Sequence, residues 1–212
     1  MDDAILNEEQ SLKHIPSVSR PATALDGLME EISGRWSSRA IDAERSVSWE
    51  VLERLIEAAR WAPSAMNGQP WRFMSFGPED SHALEQARRV LKPGNAWAKN
   101  APRLLFVMAK KNRGDTEKPN ALAMYETGMA MGQMGIQAVR EGLVFHQMAG
   151  IDRDHFRVLF SIPENLEVVV GVALAFPGSV ATVPEERQEL ETAPRQRHMP
   201  KQIHAMNGDI PQ

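Results

Sequence analysis

Apolar residues recur at helical spacing in a run that follows Ser48: Val51, Leu52, Leu55, Ile56 and Ala59 fall on one face of a 3.6-residue period. Ser48 suits the N-cap, because its hydroxyl can accept from a backbone N–H of the first turn. Pro63 closes the run, because proline offers no N–H to a helix interior. The same reasoning predicts helices over 79–91, over the long stretch 120–141 and over 152–160, which opens on the capping residue Asp152. An earlier helix is expected from its cap at Thr23 to about Ser33. Strand patterns lie between them. Residues 71–76 make a short one, and 103–109 (Arg-Leu-Leu-Phe-Val-Met-Ala) lacks alternation and reads as a strand buried on both faces. Residues 143–148 and the β-branched run 166–176 add two more, giving an α+β or α/β chain with a sheet of about four or five strands.

The ends of the chain are patterned differently. The first 22 residues are polar and punctuated by Pro16 and Pro21, which reads as an extended arm. Residues 178–212 carry Pro184, Pro194, Pro200 and Pro211 without a clear period; so long a stretch is either disordered or lies against something. The expected organisation is an arm over 1–22, one domain over 23–177 and a C-terminal arm over 178–212. Within the long helix, Gly128, Gly132 and Gly135 alternate with Met124, Met129, Met131 and Met134. Each glycine there costs about 1 kcal/mol relative to alanine. Tight helix packing, inside the core or across a dimer axis, is the expected compensation.

Composition narrows the chemistry. A chain of 212 residues with 42% hydrophobic content buries the core of one domain. The net charge of −4 comes without a Lys/Arg-dense stretch, which excludes nucleic acid and anionic membranes as expected partners. No apolar run is long enough to span a bilayer, and residues 1–10 are acidic and polar, so a cytoplasmic location is expected. With no cysteine, redox chemistry must come from a bound cofactor. His14, His82, His146, His155, His198 and His204 lack metal-ligand spacing, and no metal site is expected. Gly-x-Gly-x-x-Gly, Walker and His-Glu-x-x-His motifs are absent from the sequence.

Two clusters stand out. In Arg35-Trp36-Ser37-Ser38-Arg39 two guanidinium groups and a hydroxyl point one way, an arrangement suited to a phosphate or equally to a solvated helix end with ion pairs. The stretch 62–71, Ala-Pro-Ser-Ala-Met-Asn-Gly-Gln-Pro-Trp, is a rigid turn that could present fixed hydrogen-bond partners to a flat heterocycle or serve as an ordinary connection.

In this order and at this separation, the two clusters resemble the nitroreductase family of FMN enzymes, which carry Arg-x-Ser-x-Arg/Lys followed by Pro-Ser-x-x-Asn-x-Gln-Pro-Trp. The resemblance continues through 141–152 and resumes at Arg195-Gln196-Arg197, covering roughly residues 25–200. It implies a mostly antiparallel sheet flanked by helices, a long central helix at the axis of a homodimer, and a C-terminal arm that wraps the partner. It also implies FMN at the subunit interface. Arg35 and Ser37 would contact the flavin phosphate beside Trp36, with Arg195 and Arg197 completing that site, and Arg39 would lie near the pyrimidine end of the ring. Pro63, Ser64, Ala65 and Asn67 would come from the other subunit, Gln147, Met148, Ala149 and Gly150 would line the N5 side, and Asn95 is a further candidate. No side chain would act as a catalytic acid or base. NADH or NADPH would reduce the flavin, and small flat molecules such as nitroaromatics or quinones would reoxidise it by a ping-pong mechanism. An FMN sensor or carrier without turnover, and a specialised flavin reductase or dehalogenase acting on one metabolite, are the alternatives. Trp36 and Ile41 depart from the residues common in the family, and the short segments 92–100 and 110–119 imply an open pocket.

Overall fold

The computed structural model describes residues 20, 22, 24, 26–114 and 116–204. Its frame is a four-stranded sheet in the order β1-β2-β4-β3, every neighbouring pair antiparallel. The strands are β1 (Trp71–Phe76), β2 (Arg103–Lys110), β3 (Val144–Met148) and β4 (Leu166–Ala175). This is an α+β fold, and the strand count meets the lower sequence expectation. Strand β2 is buried along both faces, which explains its lack of alternation. Leu104, Phe106 and Met108 enter one core, Leu105 and Val107 the other.

The helices are α1 (Glu30–Gly34), α2 (Trp49–Arg60), α3 (Ser81–Arg89), α4 (Ala123–Arg140), α5 (Arg153–Leu159), α6 (Glu185–Thr192) and α7 (Pro200–Ile203). Helix α2 starts as the pattern requires, with the Ser48 hydroxyl accepting from the Val51 amide at 3.4 Å and Leu52, Leu55 and Ala59 buried. Helices α2 and α4 cover one face of the sheet through Leu52, Leu55, Ala130 and Met134, packed on Phe145, Val172 and Leu174. On the other face α3 and α5 bury Leu84, Ala87 and Phe156, and Phe156 stacks on Phe106 with centroids 4.2 Å apart. Each leucine, methionine or phenylalanine among them, fully buried, contributes about 1.5–3 kcal/mol.

Two regions differ from the sequence expectation. The helix expected from Thr23, which lies outside the described residues, is only the five-residue α1; a turn at Asp26-Gly27, with Gly27 at φ 83°, and non-helical residues after it precede that helix. The stretch after β4 is not featureless, since it forms a short turn at Val180–Thr182 and then α6 and α7. Helix α6 lacks an apolar period because its one buried residue is Glu191. Among the described residues no helix is long and apolar enough to cross a membrane.

Candidate functional site

Beyond α1 the chain is extended at Arg35 and forms no helix through 36–40. Arg35 and Ser37 share a side, with Arg35 Nη1 donating to Ser37 Oγ at 3.4 Å. Arg35 packs over Gly135 of α4, where an added Cβ would stand 3.6 Å from its Cδ. Ser38 turns into the interior and donates to Glu191 Oε2 at 2.8 Å. Past Ser38 the segment zips onto the chain leaving β4: Gly178 N–H donates to the Ala40 carbonyl at 3.0 Å and Asp42 N–H to that of Phe176 at 2.8 Å. The contact demands glycine, because a Cβ at Gly178 would lie 2.2 Å from the Ile41 carbonyl oxygen.

That zipper brings the end of the chain to its beginning. The Arg195 guanidinium donates to the carbonyls of Arg35 at 3.0 Å, Arg20 at 3.2 Å and Ser33, while Arg20 Nε donates to the Ala193 carbonyl. Burial lowers the pKa of Arg35, and the charge of Arg197 lowers it further. Burial likewise leads for Arg195, followed by Arg197, Arg35 and Arg20. Four guanidinium groups therefore repel one another here, and among the described residues none forms an ion pair with a carboxylate. A cavity of about 390 Å³ opens between Arg20, Arg35, Trp36, Phe145 and Arg195, with Glu30 also on its wall. Such a cluster is suited to a bound anion with several oxygens.

The pyrimidine-end candidate Arg39 is held elsewhere. Its backbone N–H donates to both oxygens of Glu191 at 3.1 and 3.2 Å, its Nη1 stands 3.9 Å from Glu191 Oε1, and its guanidinium carbon lies 6.0 Å from the centre of the Trp97 ring. Trp97 in turn packs against His146 at 4.6 Å, and His146 Nδ1 meets the Ser38 carbonyl at 2.8 Å. Since a carbonyl only accepts, that contact places the imidazole proton on Nδ1. Burial lowers the His146 pKa, and the Ser38 carbonyl opposes the shift. Arg39 Nε and Trp97 Nε1 are buried donors without a hydrogen-bond partner among the described residues.

At the end of β3, Gln147 and Ala149 are exposed, Met148 is buried and Gly150 is half-buried. Strand alternation places Gln147 on the α4 side with Phe145, which lies against Gly135, and Ala149 follows in the bend just past the strand. The Gly150 carbonyl accepts from Lys92 N at 3.1 Å and from Asn95 Nδ2 at 2.9 Å, so two sequence candidates, Asn95 and Gly150, meet directly. With its amide engaged there, Asn95 braces the turn.

The loop carrying Pro63, Ser64, Ala65 and Asn67 lies apart from these groups. It is tied to the first half of α4, where Glu126, 2% exposed, accepts from Ala65 N–H at 2.7 Å. Arg35 packs at Gly135, nine residues on and about 14 Å further along the helix. Within the loop Met66, Asn67 and Gln69 have φ of 52°, 57° and 43°, left-handed values that cost non-glycine residues about 1–2 kcal/mol each. Ser64 holds the loop by accepting from Gln69 N–H on its hydroxyl and from Asn67 N–H on its carbonyl, both at 3.0 Å, and Met66 is left 98% exposed.

The chain thus gathers Arg35, Ser37, Arg195 and Arg197 at one place, holds Arg39 at Glu191 and Trp97, and sets Gln147 and Met148 at the end of β3 with Ala149 and Gly150 just past it. It does not bring Pro63, Ser64, Ala65 or Asn67 to them. Arg20, Ser38, Trp97, His146 and Glu191 escaped the sequence reading. Arg20 and Glu191 arrive through contacts more than 150 residues apart in the chain, which no local pattern announces.

Comparison with known proteins bears on the family and the fold. A family model described as "Nitroreductase family" matches residues 32–92 and 78–176. An uncharacterized 15.4 kDa protein from the ask 5' region of Mycolicibacterium smegmatis is 34% identical over 114 residues, 54% of this chain and 76% of that protein. A provisionally named NADH dehydrogenase/NAD(P)H nitroreductase of Methanothermobacter thermautotrophicus is 27% identical over 179 residues, 82% of this chain and 88% of its own. Among solved structures, one described as an oxidoreductase containing FMN superposes with a TM-score of 0.80 at 31% identity, covering 89% of this chain and 95% of that one.

Proposed function

The chain belongs to the nitroreductase family, and from that premise we propose that it is a homodimeric FMN enzyme that passes two electrons from NADH or NADPH to small oxidised organic molecules such as nitroaromatics or quinones. The observation that carries the reading is the group of four arginines, Arg20, Arg35, Arg195 and Arg197, which among the described residues form no ion pair with a carboxylate; three of them line a cavity with Val144 and Phe145 at the start of β3. The Arg39 and Trp97 donors, without hydrogen-bond partners among the described residues, also suit a polar heterocycle.

When bound, FMN would supply the two-electron redox chemistry that links donor to oxidant in a ping-pong cycle. The protein's part is positioning and charge. Arg35, Arg195 and Arg197 hold the phosphate with the Ser37 hydroxyl, Trp36 flanks it, and Arg20 adds a cation. Arg39 sets a positive charge at the pyrimidine end, where it favours negative charge on the ring. Gln147, Met148, Ala149 and Gly150 form the wall beside N5, with the Gly150 turn stiffened by Asn95. Pro63, Ser64, Ala65 and Asn67 cover the open side from the partner subunit, which accounts for their distance from Arg35 along α4. Arg195 and Arg197 serve the phosphate site of their own chain, and the arm beyond them is the portion available to the partner.

The visible spectrum of the purified protein tests this, recorded before and after anaerobic addition of NADH and then NADPH. Bleaching of a bound-flavin spectrum supports turnover and identifies the donor. A flavin that stays oxidised would reduce the protein to an FMN carrier or sensor, and a colourless protein that takes up no FMN would overturn the reading.

A further inference from the structure

Glu191 is a carboxylate at 1% exposure in a helix that buries nothing else. Burying such a group is costly unless it is hydrogen-bonded. Its described donors come from two consecutive residues of the Arg35–Arg39 segment: the Ser38 hydroxyl, the Arg39 amide, and the Arg39 guanidinium at longer range. The carboxylate thereby grips the backbone at Arg39 and stands on one side of its guanidinium, with the Trp97 ring beyond. Four residues further along, Arg195 reaches the carbonyls of Ser33 and Arg35, so the same anchor sets the register of the arm against the arginine cluster.

We propose that Glu191 is a positioning residue of the flavin site, acting through Arg39: it fixes the guanidinium and offsets part of its charge, and so sets the reduction potential of the bound ring. The inference rests on the FMN reading and extends it by assigning control of the potential to a residue of the C-terminal arm. Negative charge 3.9 Å from Arg39 Nη1 weakens the positive field that reaches the ring. Removing that charge while keeping a side chain of the same shape strengthens the field and makes the ring easier to reduce.

Two readouts test it. In flavin-free protein, hydrogen exchange across residues 36–42 and 185–195 should be faster in Glu191→Gln than in wild type; unchanged exchange would overturn the positioning role. In the FMN-loaded protein, Glu191→Gln should shift the midpoint potential to more positive values, and the shift should vanish in an Arg39→Gln background. An unchanged potential, or an equal shift in both backgrounds, would overturn action through Arg39. Should Glu191→Gln not fold, Glu191→Asp withdraws the carboxylate by one methylene: a smaller positive shift with faster exchange supports the proposal, and wild-type behaviour in both overturns it. If wild-type protein takes up no FMN, the flavin reading fails by itself, and the exchange comparison still decides whether Glu191 fixes Arg39.

Discussion

At the scale of single residues, His146 shows how an inconspicuous side chain becomes sensitive to solution conditions. Sequence spacing marks it as structural, and the structure encloses it between Trp97 and the Ser38 carbonyl, with Arg39, Glu191 and Arg35 contributing charge around it. Burial holds its folded pKa below the ordinary 6.5, so the unfolded chain takes up a proton first as the pH falls. The stabilisation from the neutral ring is complete above 6.5 and is lost as the pH drops from there through the lower folded value. Thermal unfolding followed from about pH 8 to about pH 5 should show a falling midpoint, and His146→Gln should flatten part of that fall. A variant with the wild-type slope would show that another group is responsible.

At the scale of elements, the join between the Arg35–Arg39 segment and the chain after β4 depends on Gly178, whose backbone presses on Ile41. Gly178→Ala should force the two apart and destabilise the protein by about 1–3 kcal/mol, as overpacking does. Chemical denaturation measures that loss, and FMN affinity should fall with it because Arg39 follows the displaced strand; unchanged affinity would uncouple the join from the site. Such joins mark where sequence reading stops. Helix α2 and strand β2 were legible because burial imposes a period or an unbroken apolar run on them. Helix α6 was not, since the side chain that anchors it is a glutamate whose partners lie at Ser38 and Arg39. In the candidate site, Arg35 and Ser37 were legible as candidates through the Arg-x-Ser-x-Arg motif that resembles the family's. The left-handed turn at Met66, Asn67 and Gln69 was hidden, because none of the three is a glycine and the carboxylate that holds the turn comes from Glu126. Arg20 and Trp97 required the fold itself.

At the scale of the whole molecule, α4 and the Leu122 cap before it present Leu122, Met124 and Tyr125 to solvent, and at Gly128 and Gly132 an added Cβ would meet no described atom outside the helix's own backbone within 4 Å. If that face stayed free, alanine at Gly132 would stabilise the helix by about 1 kcal/mol. If a second chain packs there, Gly132→Leu should leave the fold intact by circular dichroism yet yield monomers on light scattering, with FMN lost. Retained dimers would place the subunit contact elsewhere. The distance along α4 between the Ser64–Asn67 turn and Arg35 then has a genetic consequence. If every site draws on two chains, as proposed, a defect at Arg39 and a defect at Asn67 need not coincide in the same site. Arg39→Ala and Asn67→Ala chains, each deficient alone, should complement when unfolded and refolded together: random pairing leaves about a quarter of the sites free of both lesions. Recovery of that fraction of bound flavin would mean that two damaged copies of this protein restore what neither retains.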